Sequence, residues 1–314
     1  MRIVFLGSGA FAIPSLQALA DAGHEIAAVV TQPDRAKGRG RSVQPPPVKP
    51  VAQALGLRVL QPPRIRAPEA REELRALAPD LQVVVAYGQI LPRSVIDLAP
   101  RGTINVHSSL LPRYRGAAPI HWAIVNGETE TGVTTMMIDE GLDTGPLLLS
   151  RATPIGAEET TPELEARLAR LGGALLVETV EGLASGTVSP VPQDHAAATL
   201  APMLRKEDGR IDWSAPAEVI WRRVRGLAPW PGTVTAFAGS DVKILRAALV
   251  PGPPLADSGA GAPGTVIAIE DGIVVACGSR TRLRVIEAQP ANRRAMPAAA
   301  FAAGARLAPG ARFG

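Results

Sequence analysis

The chain has 314 residues, of which 46% are hydrophobic and 20% charged, and its formal net charge is +4. This length is enough for two domains with separate cores, and we expect two. The sequence has no apolar run long enough to span a membrane and no cleavage pattern near Met1, so we expect a cytoplasmic protein without a signal peptide. The single cysteine, Cys277, excludes an internal disulfide and a cysteine metal site.

The positive charge is unevenly distributed along the chain. Residues 1–200 contain 18 Lys and Arg against 20 Asp and Glu, a net of −2, whereas residues 201–314 contain 15 against 9, a net of +6. A second basic concentration, PDRAKGRGR, lies at residues 33–41 in a predicted loop. Both regions are suited to a polyanion such as nucleic acid, although ordinary solvated surface gives the same composition.

The first predicted turn, FLGSGAFA, has the spacing of a dinucleotide-binding motif at Gly7, Gly9 and Ala12. Such a site needs an acidic residue at the end of the next strand to bind the ribose. Thr31 occupies that place, and Asp34 falls in the following loop. The sequence therefore favours a turn that needs small residues for packing over an NAD site.

The N-terminal part alternates short apolar runs with helical patterns. The predicted strands are RIVFLG, EIAAVVTQ, LRVLQ, DLQVVVAYG and GTINVHSS, and the predicted helices are PSLQALADAG, VKPVAQALG and PEAREELRALAP. Apolar strands separated by helices indicate a doubly wound, mostly parallel sheet, that is, an α/β fold with a Rossmann-like core. TGVTTMMIDE and GPLLLSRATPI then predict a hairpin at the sheet edge, and a long helix follows, ending near residue 186.

The C-terminal part has a different pattern. Residues 190–208 show no sustained periodicity and are interpreted as a linker between a catalytic domain, 1–189, and a second domain, 209–314. After one helix, AEVIWRRVRGL, five short strands follow at close spacing: GTVTAFAG, DVKILRAALV, GTVIAIED, GIVVACG and TRLRVIEAQP. This pattern predicts a small β-barrel of the oligonucleotide-binding (OB) type.

Candidate catalytic residues lie where the rule for open α/β sheets places ligands, at the carboxyl ends of strands. Asn105 and His107 are two residues apart on GTINVHSS and so point to the same side. The loop after TGVTTMMIDE adds Asp139, Glu140 and Asp143. An amide and an imidazole can stabilise the oxyanion of acyl transfer, and a carboxylate favours the charged imidazole. The alternative is that Asn105 and His107 only satisfy backbone groups at a strand end.

The segment INVHSSLLPRYRGAAPIHWAIVNGETETGVTTMMIDEGLDTG closely resembles the formyltransferases that use 10-formyltetrahydrofolate. Their hallmark is N-x-H-x-SLLP-x-x-x-G followed by a D-x-G-x-DTG loop, and both are complete here. The resemblance implies that Asn105, His107 and Asp143 are catalytic. It also implies a folate site formed by Ser109, Leu110, Leu111, Pro112, Val85, Ala86, Tyr87, Gly88, Asp139 and Gly141.

Over its whole length the chain is most similar to the branch of that family whose members formylate methionyl initiator tRNA for translation initiation. TQPDRAKGRG resembles the basic insertion of that branch, and RKEDGRIDWS and PWPGTVT resemble its linker and barrel. The resemblance implies 10-formyltetrahydrofolate as co-substrate, no metal, no NAD, no membrane partner and a monomer. The residues it implies for tRNA binding are Arg35, Lys37, Arg39, Arg41 and Lys206. GSGAFA in place of G-T-P-x-F-A, together with Ala36 and Pro46, departs from the usual pattern.

Three other functions are weighed against this one. Another folate-dependent formyltransferase would use a small amine, glycinamide ribonucleotide or an amino-sugar nucleotide, and the opening turn suggests an NAD-dependent dehydrogenase. The barrel alone suggests a nucleic-acid-binding module without catalysis. Packing is favoured over base stacking for Trp213, Trp221 and Trp230, and over metal binding for His24, His121 and His195.

Overall fold

The structure is a computed structural model that describes residues 1–37, 42–255 and 261–314. Its backbone contacts divide the chain into two units. The first contains Met1–Pro119, Glu130–Pro154 and Glu165–Pro202, and the second contains Ile120–Thr129, Ile155–Leu164 and Met203–Gly314. Residues 190–202 of the predicted linker therefore belong to the first unit. Within the described ranges, no helix is both long and apolar enough to cross a lipid bilayer.

The first unit has the predicted alternation of strands and helices. Its strands are β1 (Arg2–Gly7), β2 (Glu25–Val30), β3 (Arg35–Lys37), β4 (Ser42–Gln44), β5 (Val59–Leu60), β6 (Leu81–Val85), β7 (Thr103–His107), β8 (Glu130–Met137) and β9 (Leu147–Pro154). The helices begin with α1 (Ile13–Asp21), α2 (Val48–Ala54), α3 (Pro68–Ala76) and α4 (Arg93–Ile96), and α5 (Pro119–Val125) follows at the boundary of the units. The long helix α6 (Thr161–Ser185) starts in the second unit and continues in the first.

The described strands of the first unit form one seven-stranded sheet in the order β5-β2-β1-β6-β7-β8-β9. The pairs from β5 to β7 are parallel, and β8 and β9 are antiparallel, which confirms the predicted fold with its edge hairpin. Because the chain winds outward from β1 in both directions, the carboxyl ends of β6 and β7 lie beside the switch point where such sheets bind ligands.

Both faces of this sheet are covered. Val4 and Leu6 of β1 pack on one face with Leu74 of α3 and Val95 of α4. On the other face α6 approaches closely, because Gly172 has no side chain: a Cβ there would lie 3.0 Å from Val106 Cγ1. Alternation along β7 therefore places Val106 under α6 and turns Asn105 and His107 to the opposite face.

The opening turn has a packing role. A Cβ on Gly7 would lie 2.7 Å from Phe5 Cε1 and 3.0 Å from the carbonyl oxygen of Val85, so only glycine fits. Thr31 is buried and its hydroxyl lies 3.2 Å from Ser8 Oγ. Asp34 is paired with Lys49 at 2.8 Å. Neither residue is a free carboxylate at the position that a ribose site requires.

The basic segment is more regular than a loop. β3 and β4 pair antiparallel, with Arg35 opposite Gln44 and Lys37 opposite Ser42. The prediction of a loop was therefore wrong for residues 35–37, which pair with residues 42–44 through backbone hydrogen bonds. Arg39 and Arg41 lie outside the described residues.

The second unit contains the predicted β-rich fold. Its elements are α7 (Ala217–Gly226), β10 (Thr233–Phe237), β11 (Ser240–Leu249), β12 (Val266–Ile269), β13 (Ile273–Ala276), β14 (Arg282–Pro290), β15 (Met296–Pro297) and α8 (Ala298–Gly304). Across the described part of this unit the antiparallel strands have the order β10-β11-β14-β13-β12, and β15 pairs with β14. The short strand β15 and the helix α8 were absent from the prediction.

The last residues of the chain close the barrel. Gly310 donates to the carbonyl of Val266 in β12 at 2.9 Å, and Gly314 exchanges two hydrogen bonds with Ala236 in β10, at 2.7 and 3.1 Å. Between them Phe313 is buried and stacks on Trp213, with ring centroids 5.8 Å apart. The two edges of the sheet are thereby covered by the tail, and Trp213 is a core residue as favoured above.

Candidate active site

The predicted catalytic residues come together at the carboxyl end of β7. Asn105 lies beside Val84 of β6 and Met136 of β8 in the strand register, and His107 ends the strand. Asp143 is brought to His107 by the loop between β8 and β9, with its Oδ2 atom 3.6 Å from Nδ1 of His107. Residues separated by 36 positions in sequence are therefore neighbours in the fold.

His107 is held by a backbone group. Its side chain is buried, and its Nε2 atom lies 2.9 Å from the carbonyl oxygen of Tyr114. A carbonyl oxygen only accepts hydrogen bonds, so Nε2 carries a hydrogen and donates it. The ring nitrogen left for chemistry is Nδ1, which faces Asp143. The hydrogen bond to Tyr114 holds the ring, and the Asp143 contact is longer than a hydrogen bond.

Asp143 is itself positioned by backbone. Its Oδ2 atom accepts a hydrogen bond from the N–H of Gly116 at 2.8 Å, and its own backbone is left-handed, with φ at +53°. The loop around it is internally bonded, because Asp139 Oδ1 accepts from Thr144 Oγ1 at 2.7 Å and from the N–H of Gly141 at 3.0 Å. The predicted folate residues Asp139 and Gly141 thus shape the loop that carries Asp143.

Asn105 is half-buried on the same face of β7 as His107. Its side-chain amide makes no hydrogen bond to any residue in the described ranges. A half-buried amide costs free energy unless it finds a partner, so this one is suited to donate to a ligand.

The SLLP turn is rigid. The Ser109 hydroxyl donates to the carbonyl of Arg113 at 2.6 Å, and the Thr134 hydroxyl donates to the carbonyl of Ser109 at 2.7 Å. Ser109 and Leu111 are buried in the fold. Leu110 and Pro112 are half-buried, so they are the side chains of this turn that remain to contact a ligand.

The rim after β6 is lined by backbone. Ala86 and Gly88 have positive φ angles, and the carbonyl of Ala86 accepts hydrogen bonds from the N–H groups of Ser8 and Gly9 at 3.2 and 3.3 Å. The Tyr87 ring packs in the core, where burial raises the pKa of its hydroxyl to about 12. At Tyr87, therefore, only backbone groups can line a pocket. Val85 is also buried, so it too can contribute only its backbone.

Two of the predicted tRNA residues, Arg35 and Lys206, are exposed. Arg35 is exposed on β3 and donates to Gln32 Oε1 at 3.0 Å, and Lys37 ends that strand. In the second unit, Lys206 is exposed at the start of a short 3-10 helix. Among the described residues no group of three or more His, Cys, Asp or Glu is arranged to hold a metal ion.

Sequence reasoning missed the residues that hold this site together. They are the carbonyl of Tyr114, the N–H of Gly116, and the side chains of Arg115 and Gln193. Backbone groups carry no sequence signal, and Gln193 lies in a stretch without periodicity, so only the arginines of the RYRG motif could have drawn notice.

Comparison with known proteins identifies the family. Residues 1–180 match the family model described as formyl transferase, and residues 203–306 match its C-terminal domain. A methionyl-tRNA formyltransferase of Solibacter usitatus is 54% identical over 314 residues, covering 100% of this chain and 99% of the relative. The chain belongs to the methionyl-tRNA formyltransferase family.

Two solved structures show how widely the fold of this family is shared. HypX from Aquifex aeolicus in complex with tetrahydrofolic acid has a TM-score of 0.65 and 19% identity, covering 96% of this chain and 47% of that one. WlaRD, a sugar 3N-formyl transferase, has a TM-score of 0.67 and 17% identity, covering 94% and 99%. The fold alone therefore does not discriminate between acceptors, whereas the high identity over the full length places the chain in the methionyl-tRNA branch.

Proposed function

We propose that this protein transfers the formyl group of 10-formyltetrahydrofolate to the α-amino group of methionyl initiator tRNA. The observation that carries the proposal is the grouping of Asn105, His107 and Asp143 at the end of β7, in a chain of this family. Aminoacyl-tRNA is made and used in the cytoplasm, so the reaction belongs there.

The chemistry follows from the donors at this site. The amine attacks the formyl carbon, a C–N bond forms, and the carbonyl oxygen becomes an oxyanion. The Asn105 amide, which has no partner among the described residues, and the Nδ1–H of charged His107 stabilise that oxyanion. Asp143, 3.6 Å from Nδ1, faces the imidazolium.

Proton transfer then completes the exchange. His107 gives the Nδ1 proton to N10 of the leaving tetrahydrofolate as the C–N10 bond breaks, and water takes one proton from the attacking amine and restores the one on Nδ1. No covalent intermediate with the protein is required, because the acceptor supplies the nucleophile. Holding two substrates in register supplies much of the rate enhancement.

The formyl donor fits the rim residues. Ala86 and Gly88 have left-handed backbone at this rim, and we assign the rim to the hydrogen-bonding edge of a pterin. Two apolar side chains are strongly exposed on the adjoining loops, Ile90 at 94% and Leu142 at 64%. Exposed apolar groups beside a polar rim are typical of a site for an aromatic ligand. Leu110, Pro112, Asp139 and Gly141 complete the set that we assign to folate.

The assignment of tRNA as the acceptor is supported by the positive charge of two regions of the chain. Arg35 and Lys37 lie on β3, and Arg39 and Arg41 follow in the same basic stretch of the sequence, residues 33–41. Lys206 lies in the other basic region, residues 201–314. Contacts of this kind neutralise phosphates and carry little sequence information. We propose that the protein acts as a monomer with tRNA and folate as partners.

An acceptor panel tests the proposal. The protein is supplied with 10-formyltetrahydrofolate and one of three acceptors: charged initiator tRNA, charged elongator methionyl-tRNA or glycinamide ribonucleotide. We expect rapid formylation of charged initiator tRNA alone. Transfer to glycinamide ribonucleotide would favour a small-amine enzyme. Tight NADH binding in a fluorescence titration, with none for a folate analogue, would favour a dehydrogenase.

A further inference from the structure

The first part of the predicted linker is paired to the start of β9 and to the RYRG segment of the candidate site. Val191 and Leu147 exchange two backbone hydrogen bonds, at 2.7 and 2.8 Å. Eight residues later the Thr199 carbonyl accepts from the N–H of Arg115 at 2.8 Å, and the N–H of Ala201 donates to the Arg115 carbonyl at 2.7 Å. We call residues 191–201 the linker segment. Both of its ends are thus fixed to the first unit.

Gln193 lies between these ends and is saturated with hydrogen bonds. Its Nε2 donates to the carbonyl oxygens of Asp143 and Gly145, at 2.9 and 2.7 Å. Its Oε1 accepts from Nη2 and Nε of Arg115, at 2.6 and 3.1 Å. Gln193 and Arg115 are only 6% and 7% exposed, so water cannot readily replace these bonds.

These bonds join the two backbone segments that hold the His–Asp pair. Asp143 is on one side, with a left-handed backbone whose carbonyl is fixed by Gln193. Arg115 is on the other, directly between Tyr114, which accepts from His107, and Gly116, which donates to Asp143. One buried amide therefore connects the segment that carries Asp143 to the segment that holds the His107 ring.

Gly116 also connects the linker segment to Asp143, through its backbone. A Cβ at this position would lie 2.8 Å from the carbonyl oxygen of Ala201, so the linker segment packs directly on the residue that donates to Asp143. The φ of Gly116 is +119°, a conformation that also favours glycine.

We propose that Gln193, acting with Arg115, is a positioning residue that sets the Asp143 carboxylate against His107. This inference rests on the proposed function. Removing the amide leaves the carbonyl oxygens of Asp143 and Gly145 without this donor and frees the Asp143 loop. A displacement of about 1 Å at a reacting group lowers kcat by about 100-fold.

The test replaces Gln193 in two ways. Gln193→Met keeps the volume and removes every hydrogen bond. Gln193→Glu keeps the acceptor for Arg115 but cannot donate to Asp143 and Gly145, so it tests the donor role in a chain that retains the Arg115 contact. The matched control is Gln53→Met, because Gln53 is exposed on α2.

We expect both Gln193 variants to lower kcat about 10- to 100-fold, with the KM for tRNA changed less than about twofold. In an Asp143→Asn background, Gln193→Met should cost less than about twofold in kcat, because the two residues act through one group. Unchanged kcat in a folded Gln193→Met protein, or a full multiplicative loss in the Asp143→Asn background, would overturn the proposal.

A measurement that does not depend on turnover distinguishes failure of this proposal from failure of the proposed function. Gln193→Met should change the ring-nitrogen chemical shifts of His107 and leave those of His24 unchanged, and identical His107 shifts would contradict positioning. If the wild type formylates no acceptor, the proposed function fails while this measurement still decides the role of Gln193.

Discussion

The Nε2 atom of His107 donates to the carbonyl oxygen of Tyr114 across 2.9 Å, so the orientation of the imidazole is set by the backbone of the RYRG segment. That hydrogen bond directs Nδ1 toward Asp143, 3.6 Å away. Nδ1 of His107 is therefore the ring nitrogen that is left to act on a substrate.

His107→Ala should lower kcat by about 10²- to 10⁴-fold, because it removes a proton donor and an oxyanion partner. The tRNA dissociation constant should change little, since the basic residues assigned to tRNA lie elsewhere in the chain. Single-turnover formylation and filter binding measure the two quantities. A variant with near-normal turnover would exclude the mechanism.

Arg35→Ala should weaken tRNA binding several-fold and reduce the slope of log affinity against log salt by about one, since each phosphate contact releases about one counterion. Arg75→Ala is the control, because Arg75 is paired with Glu72 on α3. Binding titrations between low and moderate salt provide the measurement. An affinity for tRNA that does not depend on salt would contradict the assignment of the basic residues.

Gly7→Ala should destabilise the first unit by about 1–3 kcal/mol, the usual cost of overpacking, because the added Cβ meets Phe5, Ala12 and the Val85 carbonyl. Gly9→Ala is the matched control, since the nearest atom there, Ala86 Cβ, is 3.5 Å away. Denaturant unfolding compares the two variants. Equal stabilities would show that the turn does not need its first glycine for packing.

Phe313→Ala should destabilise the second unit by about 3–5 kcal/mol, as is typical for a buried phenylalanine. The ring is buried against Trp213 and Phe237 in the segment that joins β12 to β10. Leu249→Ala, at an exposed position of β11, should cost about 0.5 kcal/mol or less. Denaturant unfolding followed by circular dichroism measures both costs, and equal costs for the two variants would exclude the closing role of the tail.

Cys277 should resist thiol reagents in the native protein. Its side chain is 1% exposed, and burial raises the pKa of the thiol to about 12, so at pH 8 roughly one thiol in 10⁴ is ionised. Ellman's reagent should react only after denaturation, and Cys277→Ser should show no reaction in either state. Rapid labelling of the native protein would place Cys277 at the surface.

The periodicity of the chain was sufficient for most of the fold. Continuous apolar strands alternating with helices specify a parallel sheet, and the antiparallel pair β8–β9 follows from a short connection. The closing tail around Phe313 could not be predicted, because residues 310–314 have no strand periodicity and pair through backbone groups alone. The pairing of β3 with β4 could not be predicted either, because these short segments also pair through backbone groups.

The sequence by itself determined which residues we propose for the chemistry. Asn105 and His107 share one face because they are two residues apart on a strand, and the D-x-G-x-DTG motif identifies Asp143. Only the tertiary structure decided how they are held. The carbonyl of Tyr114, the N–H of Gly116 and the amide of Gln193 act through hydrogen bonds between segments up to 78 residues apart, and such bonds depend on the fold and leave no local pattern in the sequence.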